Sequence, residues 1–152
     1  MPVKQVIVVR TRYPDGKGGF FKPRTGKLIA QGAHASMKVL LDHMTHGFIE
    51  RMGDAGFEFT QEDSGTPALL LRPDPAMLAW LRGSFTKVCV QVDSEEALLD
   101  VVQRAQAAGL PVALIEDSGA TEFHGVKTAT CCAVGPADAE AIDRITGGLR
   151  LL

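Results

Sequence analysis

The chain has 152 residues, 45% of them hydrophobic, enough to bury one good core, so a single domain is expected. Nothing at its start resembles a signal peptide and no apolar run is long enough to span a bilayer, which predicts a cytoplasmic protein. The net charge of −2 hides an asymmetry. Residues 1–30 hold seven Lys/Arg against the single Asp15, a balance of +6, which leaves −8 for the other 122 residues. A basic segment on an acidic body predicts a phosphate-facing patch.

Residues 3–10 form a β-branched run, apolar almost without interruption in its second half, as in a buried strand. Pro14, Gly16, Gly18, Gly19 and Pro23 make residues 11–24 a loop; its Asp15-Gly16-Lys17-Gly18-Gly19 stretch lacks the spacing of a phosphate-cradling P-loop. A long helix is predicted from Gly26 to about Arg51 or Met52, with Thr25 as its N-cap. Leu28, Ile29, Ala33, Met37, Leu40, Leu41, Met44 and Phe48 recur at helical spacing and are expected to face the core. Lys27, Gln31 and His34 form a second, polar stripe, and a cation, an amide and an imidazole near a helix N-terminus suit an anionic ligand.

Glycines and acids make residues 53–72 irregular, with a hairpin expected between residues 57–60 and 68–71. Pro73 and Pro75 open a short helix that ends at Gly83, and residues 86–92 read as a strand. Asp93 and Ser94 cap an amphipathic helix through Ala108, with Gly109 closing it. Residues 111–115 are a strand, residues 117–121 a turn and residues 127–134 a strand. Pro136 is expected at the first position of a last helix ending near Gly147, and residues 149–152 add or cover an edge. Cys89, Cys131 and Cys132 all lie in apolar runs; an odd count with two adjacent predicts buried, reduced thiols rather than disulfides. No Cys or His pair has a recognised ligand spacing, so no metal site is expected. This order of elements predicts a three-layer α/β/α sandwich with a mixed sheet of four to five strands. Ligands in such sheets collect beyond strand carboxyl ends, where Asp117 and the Lys27 stripe could reach one crevice. Glu116 and Asp117 are adjacent, so only one can line it. A turn aspartate can also simply cap its own loop through a backbone N–H.

The motif Gly26-Lys27-x-x-Ala30-Gln31-x-x-His34-Ala35 strongly resembles the signature of the class II peptidyl-tRNA hydrolase family. The resemblance continues through Trp80, Gly83 and Lys87-Val88, then Gly109-Leu110 and Leu114-Ile115-x-Asp117-x-Gly119-x-Thr121. It ends with Thr130, Val134-Gly135-Pro136, Ile142-Asp143-x-Ile145-Thr146-Gly147 and Leu149-x-Leu151. Only about residues 53–75 fall outside it, as an irregular insertion. The resemblance implies a compact α/β protein, usually a homodimer, that cleaves the ester between a peptide and tRNA without metal or organic cofactor. It places Lys27, Gln31, His34, Asp117 and Thr130 at or near the active site. Asp117 would hold or deprotonate the attacking water, Lys27 would keep that carboxylate ionised, and Gln31 and Thr130 would donate or orient. His34 has a structural alternative, bonding a backbone group beneath the site.

The family commonly reads Asp-Ala-Gly-Arg-Thr where this chain has Asp117-Ser118-Gly119-Ala120-Thr121. With that arginine missing, Arg10, Arg12, Lys22 and Arg24, together with Thr121, are the candidate substrate contacts. The loop before Thr128 is one residue longer than usual, which leaves Thr128 and Thr130 both open for the site hydroxyl. Three functions compete: a peptidyl-tRNA hydrolase, a tRNA- or RNA-binding relative that has lost turnover, and a protein-interaction module that uses the acidic insertion. The intact Lys27/Gln31/Asp117 set favours the first, and Ala120 favours the second.

Overall fold

The computed structural model describes residues 2–119, 123 and 125–152; Met1, Ala120, Thr121, Glu122 and His124 lie outside the described residues. Strand β1 (Val3–Arg10) is buried from Gln5 onward, as its β-branched run requires. Side chains of a strand alternate between faces, so Val6 and Val8 join one apolar cluster and Ile7 and Val9 the other. Two short strands, β2 (Tyr13–Pro14) and β3 (Phe20–Phe21), pair as a hairpin inside the segment expected to be loop. Helix α1 (Thr25–Asp42) and helix α2 (Pro75–Arg82) cover the Ile7/Val9 face with Leu28, Ala35, Val39 and Met77. Helix α3 (Glu95–Ala107) and helix α4 (Ala139–Thr146) cover the other with Leu98, Val101, Ala105, Ile142 and Ile145.

Between these layers lies one mixed sheet. Strand β7 (Lys87–Val92) runs parallel to β1; β8 (Val112–Asp117), β9 (Thr128–Asp138) and the short β10 (Arg150–Leu151) complete it in the order β10–β7–β1–β9–β8. The three-layer α/β/α architecture with five strands is the expected one, and the tail does add an edge strand. Ser94 accepts the Ala97 N–H at 3.1 Å, so α3 begins where its capping residue predicts, and Asp74 accepts the Met77 N–H at 2.7 Å to cap α2 just ahead of Pro75.

Several expectations are corrected. Helix α1 stops at Asp42, where the His43 N–H bonds the Leu40 carbonyl and His43 Nδ1 lies 2.7 Å from the Val39 carbonyl. The chain then enters strand β4 (Met44–Arg51), so Met44 and Phe48 belong to a sheet rather than to a helical stripe. Gly47 suits this strand: a Cβ there would meet the Phe59 ring and the Thr60 carbonyl at 2.5 Å, a close approach that a sheet glycine permits. The segment expected to be irregular is therefore part of a regular sheet that begins at Met44. Strands β5 (Phe57–Thr60) and β6 (Thr66–Leu71) form an antiparallel sheet with β4 between them, so they do not pair with each other as a hairpin. No residue of these three strands is buried, and the sheet stands outside both core clusters except for Leu71 at its root.

Thr25 is the first helical residue, not the cap. Arg24 occupies the cap position, with no side-chain cap bond. The buried face of α1 is Leu28, Gln31, Gly32, Ala35 and Val39, rotated from the expected stripe, while Ile29, Met37 and Leu41 stay exposed. Small residues permit this: a Cβ on Gly32 would lie 3.5 Å from the Ile7 side chain, so α1 rests close to β1. Pro136 lies inside β9 rather than opening α4. Its missing N–H costs no ladder bond, because the β1–β9 register shifts between Lys4 and Val6, opposite this stretch. Asp138 caps α4 instead, accepting the Ala141 N–H at 3.2 Å. Cys131 and Cys132 are buried as expected, whereas Cys89 on β7 is exposed. No helix among the described residues is long and apolar enough to cross a membrane.

Candidate active site

Helix α1 and the end of β8 meet where the sheet's carboxyl ends open toward the basic N-terminal segment. There Lys27 Nζ lies 2.5 Å from Asp117 Oδ2, with only 19% and 12% of the two side chains exposed. Gln31, one turn further along α1, donates its Nε2 to the same oxygen at 3.0 Å. The other carboxylate oxygen accepts the Gly119 N–H at 2.6 Å. Asp117 therefore does both things its position allowed: it ties its own turn, and it receives the two donors of the helix. Glu116 points elsewhere, toward Lys127 at 4.0 Å.

The partners of Asp117 set its chemistry. The Lys27 ammonium holds the carboxyl below the ordinary carboxylate range, helped by the Gly119 and Gln31 bonds and opposed by partial burial. Gly119 is itself obligatory: its φ is +85°, and a Cβ would strike the backbone of Val126 at 2.5 Å.

Behind the pair, a buried chain of bonds fixes the amide. Thr130, 1% exposed, donates its hydroxyl to Gln31 Oε1 at 2.9 Å. With that oxygen occupied, the Gln31 NH2 is directed at Asp117. The Cys131 thiol, which burial pushes up to about 12, stays protonated and donates to the Gln31 backbone carbonyl at 3.0 Å. Of the two threonines left open, Thr130 is the one that joins the cluster; Thr128 bonds the Val126 carbonyl in its own loop at 2.8 Å.

The remaining candidates are dispersed. His34 continues the α1 stripe but is exposed and makes no hydrogen bond among the described residues, so the backbone anchor beneath the site is not found. Arg10 is 7% exposed: its Nε donates to the Arg12 carbonyl, its NH1 to the Ala129 carbonyl, and its guanidinium lies 4.3 Å over the Tyr13 ring. Arg12 is exposed and lies 3.6 Å over Phe20. Lys22 lines a groove with Thr25, Ile29, Cys89 and Leu152, toward the β7–β10 edge and away from Asp117. Arg24 stands at the cap position of α1, and Thr121 lies outside the described residues. Among the described residues no three His, Cys, Asp or Glu side chains come together as metal ligands.

Sequence reasoning missed the aromatic cluster beside the site. Tyr13 of β2, Phe21 of β3 and Phe123 of the β8–β9 loop have ring centroids 4.6 to 6.1 Å apart, and Lys27 Nζ lies 5.7 Å from the Phe123 centroid. The signal was present as three aromatics in segments read only as loop, but their meeting depends on tertiary structure.

An ammonium–carboxylate pair steadied by an amide and a hydroxyl, at the strand ends of an α/β/α sandwich and beside a basic segment, defines a site for polar chemistry on an anionic ligand. The family model described as "Peptidyl-tRNA hydrolase PTH2" matches residues 3–152, and the chain belongs to that family. Similar proteins named peptidyl-tRNA hydrolase include one from Methanocaldococcus jannaschii, 34% identical over 151 residues, covering 99% of this chain and all of the relative. One from Metallosphaera sedula is 33% identical over 150 residues, covering 99% of this chain and all of the relative. One from Methanopyrus kandleri is 36% identical over 149 residues, covering 98% and 97% respectively.

Proposed function

We propose that the protein hydrolyses the ester bond joining a peptidyl, or N-acyl-aminoacyl, group to tRNA in the cytoplasm. The observation that carries this reading is the closure of Lys27, Gln31 and Asp117 into one hydrogen-bonded cluster, in a chain matched to the family over nearly its whole length.

Ester hydrolysis needs a placed water and positive potential where the carbonyl oxygen gains charge. Lys27 supplies that potential. Asp117 fixes the ammonium and orients the water. A carboxylate held below its ordinary range is a weak base, so orientation and charge outweigh proton abstraction in its contribution. Gln31, locked by Thr130, donates toward the same centre. The basic residues of the first thirty positions offer contacts to tRNA phosphates, with exposed Arg12 and Lys17 on the β2–β3 hairpin better placed for it than buried Arg10.

The competing reading is a tRNA binder without turnover, favoured by Ala120 standing where the family commonly has arginine. Incubation with N-acetyl-aminoacyl-tRNA separates the two: release of N-acetyl-amino acid supports the hydrolase, and retention without release supports the binder.

We also propose that the protein is a homodimer. The exposed apolar residues Ile29, Met37 and Leu41 lie along α1, with Leu152 and Phe85 lining the grooves beside it, an apolar stretch of the kind that marks an interface. Sedimentation equilibrium should give a dimer for the wild type and a monomer for Met37→Glu; a monomeric wild type would remove this assignment.

A further inference from the structure

A second recess lies beside the cluster. It has a volume of about 380 Å³ and is lined by Arg10, Tyr13, Phe21, Glu95, Phe123 and Thr128, with exposed Val126 and Lys127 at its rim. That size falls within the range of small-ligand pockets. We propose that this recess seats the terminal adenine of the tRNA acceptor end; the inference rests on the ester-hydrolase reading and names where its substrate's last base goes.

Three features carry it. The recess and the catalytic cluster share Phe123, whose ring lines the one and lies 5.7 Å from Lys27 Nζ of the other. The scissile ester sits on the terminal ribose, so the base on that ribose must fall within a nucleoside's width of Lys27 and Asp117. The walls suit a flat base: Phe21 is half-buried and backed by Tyr13 in a stacked pair at 5.6 Å, and bases stack on such rings. Arg10 stiffens that backing, clamped between the Tyr13 ring and the Arg12 and Ala129 carbonyls. The polar groups suit an amino edge, since the exposed Glu95 carboxylate accepts the donor that the exocyclic amine of adenine offers. Uracil carries a carbonyl oxygen in place of that amine, which a carboxylate repels. Outside the recess, Arg12 and Lys17 on the same hairpin face solvent, where the phosphates preceding the terminal nucleotide would pass.

The test titrates the RNA trinucleotides CCA and CCU into the intact protein by NMR, following Tyr13, the single tyrosine of the chain. CCA should shift the Tyr13 ring signals and CCU should bind more weakly. Phe21→Leu should weaken CCA about fivefold to a hundredfold, the worth of one base–aromatic stack. Glu95→Gln, an exposed change that spares the fold, should narrow the CCA-to-CCU ratio. Acylated tRNA ending in U should show a matching loss of kcat/KM with the wild type but little further loss with Phe21→Leu. Equal binding of the two trinucleotides overturns the proposal. So does a Phe21-dependent preference among N-acetyl-aminoacyl groups with indifference to the terminal base, which would give the recess to the amino-acid side chain. CCA selectivity without ester hydrolysis would instead sink the hydrolase reading and leave the base pocket standing.

Discussion

Asp117→Asn is the sharpest perturbation, because all three donors around the carboxylate are known. If the amide oxygen stays toward Gly119, the new NH2 group faces Lys27 Nζ and Gln31 Nε2, both donors. If the amide flips, the NH2 faces the Gly119 N–H instead. Either orientation loses at least one bond and strips Lys27 of its countercharge. Hydrogen bonds to charged groups contribute about 1.5–3 kcal/mol each, and partial solvent access at this pair places the expected loss of stability near the lower end. For a domain of this length that corresponds to a fall in Tm of about 3–6 °C. The catalytic loss should be larger, on the order of 10² or more in the single-turnover rate with N-acetyl-aminoacyl-tRNA, at a temperature where both proteins are folded. Lys27→Ala should cost a similar factor, and the double variant far less than the product, since both residues serve one centre. A lowered Tm with near-normal turnover would mean that Asp117 only ties its loop, and the site assignment would fall.

Three further outcomes follow from the same geometry. Affinity for tRNA should drop steeply with salt on a log–log plot, and Arg12→Glu should weaken binding and flatten the slope without unfolding, whereas Arg10→Glu should also lower Tm because it breaks the buried bonds to Arg12 and Ala129; a salt-independent curve would contradict the phosphate patch. Since the folded protein holds the Asp117 carboxyl below 3.8, the stability it contributes is fully present above that value and is lost as pH falls through the folded-state value, so the Tm gap between wild type and Asp117→Asn should be constant from pH 7 to 5 and shrink below about pH 4. Thr130→Val leaves Gln31 Oε1 without its donor in a buried place, which should cost about 1–3 kcal/mol in denaturant unfolding and slow turnover by loosening the amide; Thr128→Val should do neither.

Much of this was legible from residue order. The β-branched run of β1, the Ser94 cap of α3 and the proline start of α2 each contain their own local instruction, and the structure follows them. The fourfold spacing of Lys27 and Gln31 on a helix, with Asp117 near a strand end, pointed to one crevice, although the strand runs through Asp117 rather than stopping at Ile115. Local reading failed where one pattern served two periods. Met44 and Phe48 extend the helical stripe of Leu40 and Leu41, yet they also alternate correctly for β4, and the strand is set by pairing with the distant β5 and β6, which local spacing does not show. Pro136 likewise carries a helix-start signal that a register shift against β1 absorbs. His34 faces solvent because the buried face of α1 runs through Gln31, Gly32 and Ala35, and Arg10 is buried because it ends the central strand and its guanidinium bonds the Arg12 and Ala129 carbonyls.

The direct test of the central claim is the fate of the ester. Purified protein should release N-acetyl-amino acid from N-acetyl-aminoacyl-tRNA, leaving intact tRNA with a free 3′ end, well above the uncatalysed rate. Tight tRNA binding with release no faster than in buffer would contradict it, and would make the chain a family member that keeps the Lys27–Asp117 pair without the reaction.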